Sequence, residues 1–327
     1  MAREIVLMEG FDYSSDKNDI LYHKGWVGII YGTNGTGRYG EGYYAQNVQA
    51  YKDLLSPTWE FTMGIAYKTV GYQGLDHWLS FRDSSNSAHF RIQMNANGYW
   101  TLKNPAGTVV ATATQAYGIN QWRFVEIYGK IADTGGRCKM LFDGDVVIDY
   151  TGDLKNSSLP FSRFHHIAQS NGYTDDIYIL SNTGEDFLGD IIVRGRLPEA
   201  NGFQNNWTPL SGNNYENVDD VNIDDDSTYI YTDGAGNIDL FQFQNLSNVT
   251  GTIYGLQLNI STRKDDAGDR LINPVIRSGG SNYYSSTGSV GSDYQYHTFL
   301  YEENPDTLSP WTFGGITGSQ FGLRLQS

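Results

Sequence analysis

Between residue 3 and about residue 195 the chain is a succession of short runs that alternate apolar and polar residues, each closed by Gly, Asn, Asp or Pro. EIVLMEGF, WVGIIYG, TWEFTMGIAYKTV, HWLSFRD, HFRIQMNANGYWTLKN, TVVATA, WRFVEIYGKI, CKMLFDGDVVIDYTG and DDIYIL follow one another in this way. A period of two sends successive side chains to opposite faces of an extended strand, and Gly or Asn between runs supplies the positive φ of a tight turn. Such regular spacing predicts an antiparallel β-sandwich. Three turns can be read individually: Asn97-Gly98, Ala106-Gly107 and Asp143-Gly144, the last a strong two-residue hairpin signal.

The 327 residues exceed what one domain usually holds, roughly 100 to 200 residues. In LGDIIVRGRLPEANG a last strand is expected to run into a linker, with Pro198 stopping strand pairing and Asn201-Gly202 turning the chain. This places a first domain at 1–195 and a second at 196–327. The second is again read as all-β, from IDLFQFQNL, GTIYGLQLNIST, NPVIRSG, YHTFLYEEN and QFGLRLQ, with no periodic helix and a strand around Trp311-Thr312. The fold class expected is all-β, two jelly-roll-type β-sandwiches in tandem. Tyr, Gly, Asn, Ser and Thr dominate, with 24 Tyr and 38 Gly, which suits short strands and tight turns. No repeat of about 20 to 50 residues emerges, which disfavours a propeller or solenoid.

A formal charge of −15 opposes binding to a phosphate backbone or an anionic membrane, so no nucleic-acid partner is expected. The single cysteine, Cys138, excludes an intramolecular disulfide. MAREIVLMEGFD is too short in apolar residues for a signal peptide, and no run approaches a membrane span. The expectation is synthesis in a bacterial-type cytosol.

Taken in order, EGFDY, the aromatic-rich middle, QWRFVEIYG, LFDGDVVIDYTGD and YTDDIYIL resemble the concanavalin A-like lectin/glucanase superfamily, especially its laminin-G-like members, over roughly residues 5 to 182. The resemblance implies that the first and final strands lie side by side, bringing Gly10-Phe11-Asp12 close to Asp175-Asp176. The continuation FLGDIIVRGRLPEANGFQNNWTPLSGNNYENVDDVNIDDDSTYI is similar to the C-terminal part of tailed-bacteriophage virion proteins with such a lectin-like domain. That implies a particle-bound component, such as a head decoration or spike, a tail fibre or a minor tail protein. Its partners would be capsid or tail proteins and further copies of itself, a trimer for example, with the second sandwich docking or oligomerising.

Strand alternation puts Asp175 and Asp176 on opposite faces of DDIYIL. With Asp12 they form the candidate calcium set, since calcium needs converging oxygen donors; the competing reading is that they cap turns and accept backbone N–H groups. No other cofactor is indicated. A glycanase needs two carboxylates flanking one sugar bond. The Glu-x-Asp-x-x-Glu pattern of the glucanases is absent and WRFVEIYG offers Glu126 alone. The acids at Asp219, Asp220 and Asp224 to Asp226 read as a solvated loop, lacking the Gly and terminal Glu of an EF-hand. His165-His166 are adjacent on a strand and cannot easily share an ion.

Aromatic faces stack on sugars, so Trp78, Tyr99, Trp100 and Tyr117, together with the loop residues Tyr39, Tyr43 and Tyr44, are the glycan candidates, against the alternative that aromatics fill the core. The leading expectation is a non-enzymatic virion protein that attaches to a phage particle and contacts host-surface polysaccharide, where many copies amplify weak contacts. The alternatives are a glycan hydrolase of the same fold and a free calcium-dependent lectin.

Overall fold

The computed structural model describes residues 3–12, 25–32, 37–38, 45–69, 77–168, 172–246 and 250–327. It divides into two compact units, Met1–Gly195 and Arg196–Ser327. Both are built almost wholly from antiparallel strands, and among the described residues no helix is long and apolar enough to cross a membrane.

The first unit contains β1 (Glu4–Glu9), β2 (Trp26–Gly32), β3 (Ala45–Thr58), β4 (Glu60–Thr69), β5 (His77–Arg82), β6 (Ala88–Met94), β7 (Trp100–Lys103), β8 (Val109–Thr112), β9 (Arg123–Lys130), β10 (Gly136–Phe142), β11 (Asp145–Gly152), β12 (Phe161–Ala168) and β13 (Gly172–Ser181). Hydrogen bonding runs β11-β10-β9-β4-β13-β3-β12-β5-β6-β7-β8, with β1 on β13 and β2 on β3. The path folds over where β13 meets the start of β3, at Tyr173 opposite Gln46 and Thr174 opposite Ala45. One layer is therefore β11-β10-β9-β4-β13-β1 and the other β2-β3-β12-β5-β6-β7-β8.

Alternation fills the space between the layers. Phe61, Met63 and Ile65 of β4, Val125 and Ile127 of β9, and Ile177 and Ile179 of β13 point inward together with Phe81, Phe90, Ile92 and Phe164 of the facing layer. Phe61 joins the layers directly, its ring centroid 4.8 Å from Phe81 and 4.7 Å from Phe161. Each such side chain contributes about 1.5–3 kcal/mol by leaving water. Cys138 lies in the same core, where burial pushes its thiol pKa upward and keeps it from acting as a nucleophile. The expected hairpins are present: Gly98 and Gly107 sit at φ +80°, and Asp143 and Gly144 at +48° and +92°. Positive φ at both central residues, as at Asp143-Gly144, is the requirement of a type I′ two-residue hairpin turn.

The second unit contains β14 (Pro198–Asn205), β15 (Thr208–Pro209), β16 (Ile230–Tyr231), β17 (Ile238–Phe243), β18 (Leu256–Thr262), β19 (Arg270–Ser278), β20 (Ser281–Tyr284), β21 (Gly288–Val290), β22 (Gln295–Tyr301), β23 (Glu303–Asn304), β24 (Ser309–Pro310), α1 (Phe313–Thr317) and β25 (Gln320–Leu325). A six-stranded sheet, β14-β17-β25-β19-β20 with β21 on β19, packs against the β18-β22 pair through Phe241, Leu323 and Phe321 on one side and Ile260, Leu256 and Leu258 on the other.

Two local expectations are corrected. Trp311-Thr312 is not strand; Thr312 caps α1 by accepting the Gly315 N–H, and Trp311 is buried beside Ile276 and Phe321. No strand occupies 183–197, and Pro198 begins β14 rather than ending a strand. Proline fits there because β14 lies at the sheet edge and Pro198 is its first residue.

Candidate functional site

β1 pairs antiparallel with β13, Glu9 opposite Ile177, which is the adjacency the resemblance implies. At the end of this pair the alternation expected for Asp175 and Asp176 is broken. Asp176 adopts φ +50° and the register against β4 shifts between Asp175 and Tyr178. This bulge brings both carboxylates to Arg38: its backbone N–H donates to Asp175 Oδ2 at 3.1 Å and its guanidinium to Asp176 Oδ2 at 3.3 Å. Asp190 binds the other arm of the same guanidinium, which also lies 5.3 Å from the centroid of the Phe124 ring.

The remaining oxygens reach for the irregular segment 186–195, which lies against Glu126 of β9 and Asp176 and Tyr178 of β13. Asp176 Oδ1 accepts the Val193 N–H at 2.7 Å and Asp12 Oδ2 the Gly195 N–H at 2.8 Å. Glu126 Oε1 accepts the Gly189 N–H at 2.9 Å and the Tyr178 hydroxyl at 2.6 Å, and that hydroxyl accepts the Leu188 N–H. Arg38 donates to the Ile191 carbonyl. A backbone strap that finds no strand partner is held by side-chain acceptors instead, as buried N–H groups require. The strap lies close: a Cβ on Gly10 would press into the Val193 carbonyl.

Burial dominates the titration of these acids. It raises Asp12 to about 7, against the opposing bond from Gly195. Burial, then the charge of Asp176, raises Asp175; burial raises Asp176 too, against Val193 and Arg38. Burial likewise raises Glu126 above the ordinary carboxylate range. Nearby, Glu9 is committed to the Phe11 N–H, the Trp26 indole and Lys52. Among the described residues no group of three His, Cys, Asp or Glu side chains is arranged to hold a metal ion. The donors that calcium would need from Asp12, Asp175 and Asp176 are engaged by backbone N–H groups and a guanidinium.

The glycan candidates are scattered. Trp100 and Tyr117 are 2% and 0% exposed, packed edge-to-face on each other and on Tyr67, so neither ring can meet a sugar. This corrects their assignment as binding residues: Trp100 faces the core from β7, and Tyr117 enters it from the loop after β8, its hydroxyl donating to the Tyr67 carbonyl. Tyr99 is half-buried beside the β6–β7 turn, its N–H bound to Asn95. Trp78 lies on β5 opposite Gln93 and Ile167. Tyr39, Tyr43 and Tyr44 lie outside the described residues.

An aromatic the sequence reading passed over occupies the surface instead. Trp59 stands between β3 and β4 and is 38% exposed. It lines a trough of about 230 Å³ with Ile131, Ala132, Asp133, Thr134 and Lys155. Lys155 Nζ is 5.5 Å from the centroid of its ring and 2.9 Å from Asp133 Oδ2. The ring is fixed from below by the edge of His89, centroids 5.8 Å apart, while the Ile131 N–H binds the Trp59 carbonyl. An indole face with a carboxylate, a hydroxyl and an ammonium around it can stack on a sugar ring and bind its hydroxyls. The signal available in sequence was its position at the very start of the run TWEFTMGIAYKTV, directly after Pro57.

No family model matches the chain, and no curated protein matches it. Among solved structures it is similar to a sialidase, at 13% identity over 58% of this chain and 16% of that one, with a TM-score of 0.37. It is also similar to the alginate lyase Aly36B bound to an alginate tetrasaccharide, at 13% identity, 57% and 98% coverage and a TM-score of 0.36. A third is the carbohydrate-binding module CBM66 from Bacillus subtilis, at 16% identity, 48% and 92% coverage and a TM-score of 0.29. At such scores the likeness carries no argument about ligand or reaction. Placement on a virion draws no support from these comparisons. The expectation of a protein without catalysis is corrected to one left open: the sialidase and the alginate lyase among these structures are enzymes.

Proposed function

We propose that the first unit is a carbohydrate-active β-sandwich module that holds a glycan on the Trp59 trough. The observation that carries this reading is the exposed indole of Trp59, braced by His89 and ringed by Asp133, Thr134 and Lys155. Large aromatics in this unit are otherwise mostly spent on the core, as with Trp26, Trp100 and Tyr117. A braced ring loses little freedom on binding, which favours affinity. The sugar's apolar face lies on the indole; Asp133 accepts from its hydroxyls and Lys155 donates to them.

Calorimetric titration of the whole chain with a panel of neutral and acidic oligosaccharides tests it. Binding that falls by about tenfold or more in Trp59→Ala, and less in Trp59→Phe, supports the trough. Affinity unchanged in Trp59→Ala rejects it. An assay for new reducing ends on the same samples separates holding a glycan from cleaving it.

A further inference from the structure

The second unit carries charge that the Trp59 reading does not use. On β19, Asn273, Val275 and Arg277 share one face by the two-residue period. The register sets Arg324 of β25 beside Asn273, Tyr284 of β20 beside Val275, and Asn282 beside Arg277. Arg277 lies with its guanidinium 4.1 Å from the ring centroid of Phe203, a residue 71% exposed, and donates to Asn282 Oδ1 at 3.1 Å. Arg324 lies 5.2 Å from the ring centroid of Tyr284, which is 47% exposed. Both guanidiniums are thereby fixed in orientation.

Arg263 and Arg270 of the same unit are bound to Asp226 and Asp266, whereas neither Arg277 nor Arg324 is in an ion pair among the described residues. Two such cations on one sheet face offer paired contacts to an anionic partner. Arg324 is level with Asn273, four residues from Arg277, so the two stand about 13 Å apart along the strands.

We propose that this face binds an acidic polysaccharide of the polyuronate class, its carboxylates paired with Arg277 and Arg324 and its sugar rings laid against Phe203 and Tyr284. A planar guanidinium matches a carboxylate in two parallel hydrogen bonds. Two oriented guanidiniums, each beside an exposed aromatic ring, fit a polymer that carries both sugar rings and carboxylates.

The test is affinity electrophoresis of the full chain in polygalacturonate, in dextran and with oligo-dT. Retardation in polygalacturonate that weakens with salt is expected, with little in dextran. The double variant Arg277→Gln/Arg324→Gln loses about tenfold in affinity or more, while Trp59→Ala stays within about twofold. Phe203→Ala/Tyr284→Ala keeps both charges and weakens binding as well, which carries the test if the glutamine pair fails to fold. Equal retardation in dextran, unchanged affinity in the glutamine pair, comparable binding of oligo-dT, or loss confined to Trp59→Ala overturns the proposal.

Discussion

Asp175 accepts backbone N–H groups, from Asp176 and Arg38, whereas Asp176 also faces the Arg38 guanidinium. The arginine favours charge on Asp176, so the proton retained by the pair rests on Asp175. Folding raises the pKa values of Asp12, Asp175 and Asp176, chiefly by burial. The folded chain therefore binds more protons than the unfolded one between the ordinary carboxylate value and the folded values. Stability falls as pH rises from about 4 to about 7, the folded value of Asp12, by up to about 1.4 kcal/mol per pH unit for each proton involved. Urea unfolding across this range is predicted to show that decline, and Asp175→Asn to flatten it and to raise stability at the alkaline end. A variant slope as steep as the parent's would contradict the assignment of the proton. Removing the cation has the opposite effect. Arg38→Met leaves Asp176 and its bond to the strap without their counter-charge and is expected to cost about 3–5 kcal/mol, read from the same unfolding curves.

The strap is an element without secondary structure, and its hold is chemical rather than topological. Val193→Pro removes the N–H given to Asp176 and restricts Ile192. Hydrogen exchange is predicted to lose protection over residues 186–195 while β9 and β13 keep theirs; uniform loss across the sandwich would show that the strap is not a separable element. Beneath it, Gly64 leaves room for the rings of Tyr178 and Phe124, into which a Cβ would intrude. Gly64→Ala is expected to cost about 1–3 kcal/mol, seen as a lowered melting temperature. The strap also marks where reading the sequence fails. FLGDIIVRGRL has the β-branched residues of a strand, but the acceptors for its N–H groups are Glu126, Asp176 and Asp12, far away in the chain. The Asp143-Gly144 hairpin was legible because all it requires is local: two residues able to take positive φ between alternating runs.

At the scale of the molecule the alternating runs were enough to predict antiparallel sandwiches, since a period of two with one face apolar has few other ways to bury itself. The bulge at Asp176 interrupts that period and was hidden, because it is set by the register against β4 and by Arg38. The candidate binding residue was hidden for a related reason. Trp59 is exposed because residues 131–134 and Lys155 wall a trough beside it instead of covering it, and those segments lie about 70 to 95 positions away by residue number. Trp100, which looked equally available, faces the core by the parity of β7.

The chain has seven tryptophans, and the account turns on one of them. Fluorine NMR of the 5-fluorotryptophan-labelled chain, titrated with the glycan selected by the binding panel, addresses that residue directly, with assignment by Trp59→Phe. The resonance of Trp59 is predicted to shift saturably while those of the buried Trp26, Trp100 and Trp311 stay in place. Saturable binding that leaves the Trp59 resonance unmoved would contradict the account.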